Sequence, residues 1–532
     1  MSVVQRVSRA WRELTKPSRR SSPFAATEIT RLTNDWIPSR MPADDEMRWT
    51  ISIARARARD LERNSAIVKQ FLRLVAVNVV GPNGIRLQSQ VKNNNSQVNQ
   101  AFAEKIEAGW EDWCYQPTRD GKMDCVSLQK MIIKTVARDG EAFVRMIRGF
   151  SRNKYNFALE MIDPDLIDET INSAKGSGNN AAKGSGTNEI RLGVEVDADG
   201  RPVAYHGWDK PPRLVMGAQR QKIRYPADEI IHIYDPERVN QTRGMSWMTS
   251  VMIHIRHGSA YSEAELIAAR TGASKMGFFQ RNAQLGMPGL ADDDSDKGQF
   301  TMNADPGTFG ILPDGYEVAS WTPSHPSTAF SEFMKSQLRH IASGLGVTYS
   351  ALANDLENVN YSSIRAGLLM ERDTWRSTQH WWICSFLKPV YKEWLNMSLL
   401  SGAIVLDNRD VRKFLDAKWI PRGWAWVDPM KDTQASVLAI GSGLASRTSV
   451  LAEQGGDYED IFSDLANEDE EAAALKINVS VKDLPASPKG MATGGDAGDS
   501  GDGSSTGGGR KELINRIAAL ESRNGHRNGG HS

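Results

Sequence analysis

The apolar positions along the chain fall into two rhythms. From Ile51, the residues Leu61, Val68, Leu72, Val75 and Val79 recur at helical spacing, predicting a helix that Gly81-Pro82 stops. Arg55 and Arg59 fall opposite that stripe, with Glu62 beside Arg59. Shorter stripes predict helices over roughly 97–114 and 127–139. The rhythm then shifts to strands at Ala142 to Ile147 and Phe157 to Ile162. Ile190, Leu192, Val194 and Val196 alternate, and Asp199-Gly200 turns the chain into Val203 and Tyr205, a hairpin signature. After an apolar run at Ile230 to Tyr234, the chain reads as helix from Met245 to about Lys275. Short apolar runs follow at Gly277 to Phe279, Phe309 to Leu312 and Tyr316 to Trp321.

Beyond Pro326, Phe330, Phe333, Met334, Leu338, Ile341 and Leu345 line one helix face. Glu332, Lys335, Ser336, Arg339 and Ser343 line the other, and Gly344 and Gly346 end the helix. A polar loop, Asn354 to Asn360, leads into a long helix over about 362–397 with Ile364, Leu368, Trp375, Trp382, Phe386, Val390 and Trp394 in one stripe. Pro389 removes a backbone donor inside it and predicts a kink. Short helices are expected over 430–475, closing on the acidic run Asp464 to Glu471.

Three stretches carry no such rhythm. Residues 1–44 are basic and rich in Ser, Thr and Pro, reading as a disordered tail or as an arm that docks on a partner. The Gly/Ser/Asn insert at 173–188 reads as a flexible surface loop, and the Gly/Ser/Asp-rich residues 479–532 as a disordered tail in which Arg510 to Arg523 could form a small amphipathic helix.

The 532 residues suffice for several domains. Lysine plus arginine and aspartate plus glutamate both total 65, so the chain lacks the basic excess of a stationary duplex binder. Cys114, Cys125 and Cys384 are too few and scattered for a disulfide framework or Cys-type zinc site, which fits a reducing environment. The polar, basic N-terminus has no apolar core behind it and predicts no secretory signal. No run of about 18 apolar residues predicts a membrane span.

Signatures of catalysis are missing: there is no phosphate-cradling glycine loop ending in Lys-Ser/Thr, no His-Glu-x-x-His and no nucleophile elbow. His254 and His257 share a helix face, but two histidines without further ligands are expected to be structural. Cys384 is expected in the core, as are most tryptophans. The acidic group Asp292, Asp293, Asp294 and Asp296 lacks the glycine and spacing of a calcium loop and reads as a solvated turn.

Four blocks resemble the lambda-like family of tailed-bacteriophage portal proteins. The most specific is Arg339 to Arg365, RHIASGLGVTYSALANDLENVNYSSIR, which pairs Gly-Leu-Gly-Val-Thr-Tyr with Tyr-Ser-Ser-x-Arg. Arg55 to Asn64 (RARARDLERN) is similar to the family's first helix, and Gln241-Thr242-Arg243-Gly244 to the lead-in to its stem. Gly455 to Phe462 (GGDYEDIF) resembles its C-terminal helical region.

The resemblance implies an α+β portal-type fold assembled as a ring of twelve. It places a wing at 45–244 and 398–429, stem helices at 245–275 and 323–346, and an α/β clip at 276–322. A tunnel-loop region at 347–362, a kinked long helix at 363–397 and a helical crown at 430–478 complete the layout. Asn354, Asp355, Glu357, Asn358 and Asn360 would then face DNA in the channel. Amphipathicity leaves open whether Glu332, Lys335, Arg339 and Ser343 face the lumen or the outside. Asp292, Asp293, Asp294 and Asp314 would lie in the clip, where partners dock. The implied partners are double-stranded DNA, the terminase large subunit, head–tail connector proteins, and major capsid and scaffold proteins. The implied location is a capsid vertex of the virion, with the host cytoplasm during assembly, no cofactor and no enzymatic activity. Rival readings are a capsid-associated protease or nuclease, and a non-channel connector or scaffold protein.

Overall fold

Local signals in the sequence delimit most of the elements. The computed structural model describes residues 39–91, 99–173, 188–210, 220–273, 278–281, 316–319, 328–357, 361–405, 414–424 and 429–475. The chain divides into two units, Met1–Ile461 and Phe462–Ser532. Of the second, only the continuation of one helix to Leu475 is described.

In chain order the N-terminal elements are α1 (Ala43–Met47), α2 (Ile51–Asn64), α3 (Ala66–Val79), β1 (Arg86–Ser89), α4 (Gln100–Tyr115) and α5 (Cys125–Asp139). The helix expected to run unbroken to Val79 is two helices. Ser65 adopts an extended backbone (φ −111°, ψ 123°) and its hydroxyl accepts from the Val68 N–H, capping α3. Asn99 and Asp124 cap α4 and α5 in the same way.

Nine strands and one α-helix follow. They are β2 (Glu141–Arg148), β3 (Phe157–Ile162), β4 (Glu189–Arg191), β5 (Val194–Val196), β6 (Pro202–Trp208), β7 (Lys222–Pro226), β8 (Ile230–Tyr234), α6 (Met252–Ala273), β9 (Phe278–Arg281) and β10 (Tyr316–Ala319). The alternating run from Ile190 to Val196 is a tight hairpin, where one strand was expected. Leu192 and Gly193 both have positive φ (49° and 81°), the geometry of a two-residue primed turn, and Glu189 pairs with Val196 across it.

Strands β3, β2 and β8 form one antiparallel sheet with β2 central, and β4 to β7 form an antiparallel meander. Successive side chains of β2 enter different cores. Ala142, Val144 and Met146 join the large core with the helices, while Phe143 joins Val194, Val196, Tyr205 and Tyr225 of the meander.

The remaining elements are α7 (Thr328–Leu345), α8 (Tyr349–Ala353), α9 (Tyr361–Trp382), α10 (Lys388–Leu400), β11 (Ala417–Ile420), α11 (Pro429–Gly441), α12 (Arg447–Glu453) and α13 (Tyr458–Leu475). Between α9 and α10 the residues Ile383–Leu387 take a π turn. The wider turn lies just before Pro389 and accommodates its missing donor inside one helical run.

Strand β11 pairs antiparallel with β1, Arg86 opposite Ile420. This brings Trp419 within 5.8 Å of Trp110, in a cluster with Trp113, Tyr391 and Trp394. Most of the described tryptophans therefore do pack the core, with Trp113, Trp382 and Trp394 under 2 % exposed, while Trp49 is 73 % exposed. Helices α6 and α7 run antiparallel: His254 meets His340, and one end on, Tyr261 meets Phe330 and Phe333. Helix α6 begins seven residues later than the periodicity suggested, because Gly244 and Met245 are wedged against the end of α5.

That wedge rests on two glycines. Gly140 ends α5 at φ +95°, and a Cβ there would lie 2.4 Å from the Met245 carbonyl carbon. A Cβ on Gly244 would lie 2.1 Å from the Gly140 oxygen. Gly140→Ala is expected to cost about 1–3 kcal/mol through the left-handed backbone alone. Chemical denaturation of the full chain checks this, and an unchanged midpoint would contradict it.

Candidate functional site

Helix α7 sets Lys335 and Arg339 one turn apart, and the short α8 returns the chain beside them. Asn354, in the left-handed region (φ 53°, ψ 36°), ends α8, a conformation that asparagine tolerates. The Asp355 carboxylate then accepts from the Tyr349 hydroxyl (2.6 Å) and the Glu357 N–H (2.9 Å). Lys335 pairs with Glu357 at 3.6 Å, and the Arg339 guanidinium lies 5.5 Å from the centre of the Tyr349 ring.

The loop and the polar helix face, two separate groups in the sequence, are thus one cluster. The hydrogen bond to Asp355 pushes the Tyr349 phenol up to about 12, and the same bond holds the Asp355 carboxyl below the ordinary carboxylate range. At neutral pH the cluster contains a phenol, two carboxylates and two cations. Cations thus stand beside both acids.

Glu332 and Ser343 are exposed on the same helix. Asn358 and Asn360 lie outside the described residues, as do Asp292, Asp293, Asp294, Asp314, the insert at 174–187, the strand expected at Phe309 to Leu312, residues 1–38 and the C-terminal tail.

Glu371 on α9 anchors the loop's entry and had no signal of its own in the sequence. Its carboxylate accepts from the Thr348 hydroxyl (2.6 Å), the Thr348 N–H (3.3 Å) and Trp375 Nε1 (3.1 Å). The start of α8 is tied to α9 by a buried acid, so the loop projects from a fixed base.

A second site joins two of the sequence blocks. Arg55, expected on a solvent face, is 1 % exposed. It donates to Glu141 (2.9 Å) and Asp165 (2.6 Å). Glu141, fully buried at the start of β2, also accepts from Arg243 Nε (2.8 and 2.9 Å), His232 Nε2 (3.0 Å) and the Gly244 N–H (3.1 Å). Arg59 binds Asp139, Asp163 and Asp165, and Arg138 joins Asp139 to Glu62. Residues from RARARDLERN and from Gln241-Thr242-Arg243-Gly244 thus converge on one buried node. It locks α2, α5, β2 and β8 to the segment that leads into α6.

The node makes stability depend on pH. Burial alone would raise the Glu141 carboxyl, but Arg243 and His232 outweigh it and hold it well below the ordinary range. Burial opposes Arg138 and Arg59 at Asp139 in the same way, and the pair again wins. Burial depresses His232, against the pull of Glu141. All three groups bind protons more readily unfolded than folded. Their stabilisation is full above the unfolded values, about 6.5 for histidine and about 4 for the acids, and is lost as pH falls through the folded ones. The unfolding midpoint is expected to decline below about pH 6.5 and more steeply below about pH 4.5. A midpoint that stays level across that window in denaturation scans would contradict the assignment.

Among the described residues, no group of three or more His, Cys, Asp or Glu is placed to hold a metal ion. His254 packs on His340, with no further ligand beside it in such a group. Cys384, expected in the core, is exposed, with its sulfur 3.8 Å from His380 Nε2, because it falls on the outer side of the π turn. No helix of the described residues is long and apolar enough to cross a membrane.

The profile of a family described as phage portal protein, lambda family, matches residues 30–379. Over 490 residues the chain is 32 % identical to a probable portal protein of Halomonas phage phiHAP-1, covering 88 % of this chain and 92 % of that one. It is 24 % identical to portal protein B of Escherichia phage lambda, covering 83 % and 88 %. Among solved structures, the chain is similar to one described as the neck of a native GTA particle computed with C12 symmetry (TM-score 0.39, 14 % identity, 75 % of this chain and 93 % of that one). A second, the neck of an empty GTA particle computed with C6 symmetry, gives a TM-score of 0.41 at 15 % identity, covering 79 % and 95 %.

Proposed function

From the premise that the chain belongs to the lambda family of phage portal proteins, we propose that twelve copies close into a ring at one capsid vertex. Double-stranded DNA is packaged and ejected through its centre. The observation that carries the ring is the antiparallel pair α6–α7. Ile253, Leu266, Ile267 and Phe333 are 61, 62, 55 and 48 % exposed on it in the single chain. Apolar side chains strung along a two-helix arm need a neighbour, and head-to-tail contacts that close on themselves supply one for every copy.

In this reading, residues 245–275 and 323–346 are the stem, 276–322 the clip, 45–244 with 398–429 the wing, and 430–478 the crown. The long helix at 363–397 joins the channel to the wing. The loop at 347–362 reaches the lumen, with Asn354, Asp355 and Glu357 facing DNA together with Lys335 and Arg339. A cluster whose charges are balanced internally meets a polyanion without a strong hold, which suits a moving strand. The clip, with Asp292, Asp293, Asp294 and Asp314, docks the terminase large subunit and then head–tail connector proteins. Capsid and scaffold proteins meet the ring's outer surface during assembly in the host cytoplasm. The ring itself has no enzymatic activity.

The test of the loop placement is chemical. A photo-crosslinker attached at Glu357→Cys is expected to form adducts with DNA in filled particles. Filled particles with intact rings and no adduct would place the channel lining elsewhere.

A further inference from the structure

The helix that leaves the loop carries a feature that neither the ring nor the loop requires. Arg365, Arg372 and Arg376 stand seven and four residues apart on α9, so they share one face. That face meets Trp424, just beyond β11. The guanidinium groups of Arg372, Arg376 and Arg422 lie 6.0, 5.9 and 5.9 Å from the centre of the indole. Arg365, Arg372, Arg376, Trp424, Asp432 and Glu453 line a recess of about 260 Å³, and Arg422 packs against the same indole.

The floor of this recess is fixed by hydrogen bonds. Trp424 Nε1 donates to Asn78 Oδ1 (3.1 Å), which also accepts from Arg422 Nη1 (3.0 Å). Gln379 Nε2 donates to the carbonyls of Asn78 (2.7 Å) and Arg422 (3.1 Å) from below. The rim is partly neutralised, Arg365 by Asp432 at 3.0 Å and Arg376 by Asp373 at 3.1 Å.

Like charges gathered around one ring repel one another. Burial first, then the neighbouring Arg376, hold the Arg372 guanidinium below its ordinary value; burial and Arg372 do the same to Arg422. An oxyanion placed among these groups relieves the repulsion, and planar guanidinium forks match its oxygens in pairs.

We propose that this recess is a phosphate site and that its occupant is a backbone phosphodiester of the DNA traversing the ring. The inference rests on the channel reading given above. Three features favour DNA over a small anion or a protein carboxylate. The recess sits on the helix that continues directly from the channel loop. The chain as a whole has no net charge, so attraction for DNA must come from local groups of this kind. The nearby acids leave each copy only a weak hold, which a ring repeats around its axis. Weak, repeated contacts to phosphates position a duplex without reading its sequence.

The experiment uses full-length rings and a short fluorescent duplex, with anisotropy followed across a salt series. Arg376→Ala alters a half-exposed side chain and should leave folding intact; the double variant Arg372→Ala/Arg376→Ala removes more of the site, and Arg376→Lys keeps the charge. The expected result is rings of unchanged appearance, a duplex affinity lowered about tenfold in the double variant, a salt slope shallower by about one, and partial recovery in the lysine variant. Unchanged affinity and slope with intact rings would overturn the proposal. So would loss of rings in Arg376→Ala, which would make the recess a seat for a neighbouring copy's carboxylates. If duplex binding is unchanged but calorimetry shows that inorganic phosphate binding is lost, the site takes free phosphate and the DNA assignment fails. Failure of the native chain to form rings would count against the portal reading instead, so the two are separable.

Discussion

A chain carrying Glu141→Ala is expected to lose about 3–5 kcal/mol of unfolding free energy, enough to remove most of the stability of an ordinary domain. Glu141 is fully buried and so are its partners Arg55 and Arg243, at 1 and 0 % exposure. Removing the acid leaves two guanidinium groups out of water with their main counter-charge gone. It also strips acceptors from His232 and from the Gly244 N–H. The cost is that of uncompensated buried charge, which exceeds the worth of any single pair. Arg119→Ala is the contrasting case. Its partner Glu160 is at 2.8 Å, but Arg119 is well exposed and Glu160 only half-buried, and the loss should be about 0–1 kcal/mol. Denaturation followed by tryptophan fluorescence reports both, since the tryptophan cluster belongs to the same unit as the node. A loss at Glu141 no larger than that at Arg119 would show that the node does not hold the fold.

Replacing Leu356 to Asn360 by glycine and serine, at unchanged length, is expected to leave rings intact and abolish the yield of DNA-filled particles. Asp355 is kept because it accepts the Tyr349 hydroxyl, and Thr348 stays on Glu371, so the base of the loop is undisturbed. What is lost is Glu357, partner of Lys335, together with Leu356, which is 66 % exposed. In the proposed layout ring formation rests on helix faces and packaging on the lumen, so the two readouts separate. Normal packaging would remove the loop from the channel. Loss of rings would make it a contact between copies.

Long, strongly patterned elements were legible in the sequence, for reasons visible in the structure. Helix α7 carries one clear apolar stripe, strands β3 and β8 each bury an apolar run, and Asn99 and Asp124 cap the starts of α4 and α5. Strands β1 and β11 were not legible: RLQS and AKWI are short and mixed, and their pairing joins segments more than 300 residues apart. The turn at Leu192 was hidden because a two-residue hairpin preserves apolar alternation on both sides of it. Periodicity treats a charge as outward-facing, so Arg55 was placed on the wrong side. Glu141 and Asp165, 86 and 110 residues on, make its burial tolerable.

At the candidate site, the loop acids and the cations of α7 were found separately by composition and by helix face. Their meeting was not, because it depends on the return angle of α8. Tyr349 lay within a recognisable block and six residues before Asp355, a spacing that a short helix and its turn bring within hydrogen-bonding reach. Glu371 reaches Thr348 across 23 residues and leaves no local trace. The motifs shared with portal proteins divide accordingly. Those near Arg55 and Arg243 build the frame, and the one from Arg339 to Arg365 builds the part placed in the channel.

The most direct test of the portal account is electron microscopy of the purified full-length chain across a range of concentrations, with particle mass measured alongside. The account predicts rings with a central hole, twelvefold symmetry and twelve times the mass of one chain. Compact monomers at every concentration, or closed particles without a hole, would contradict it.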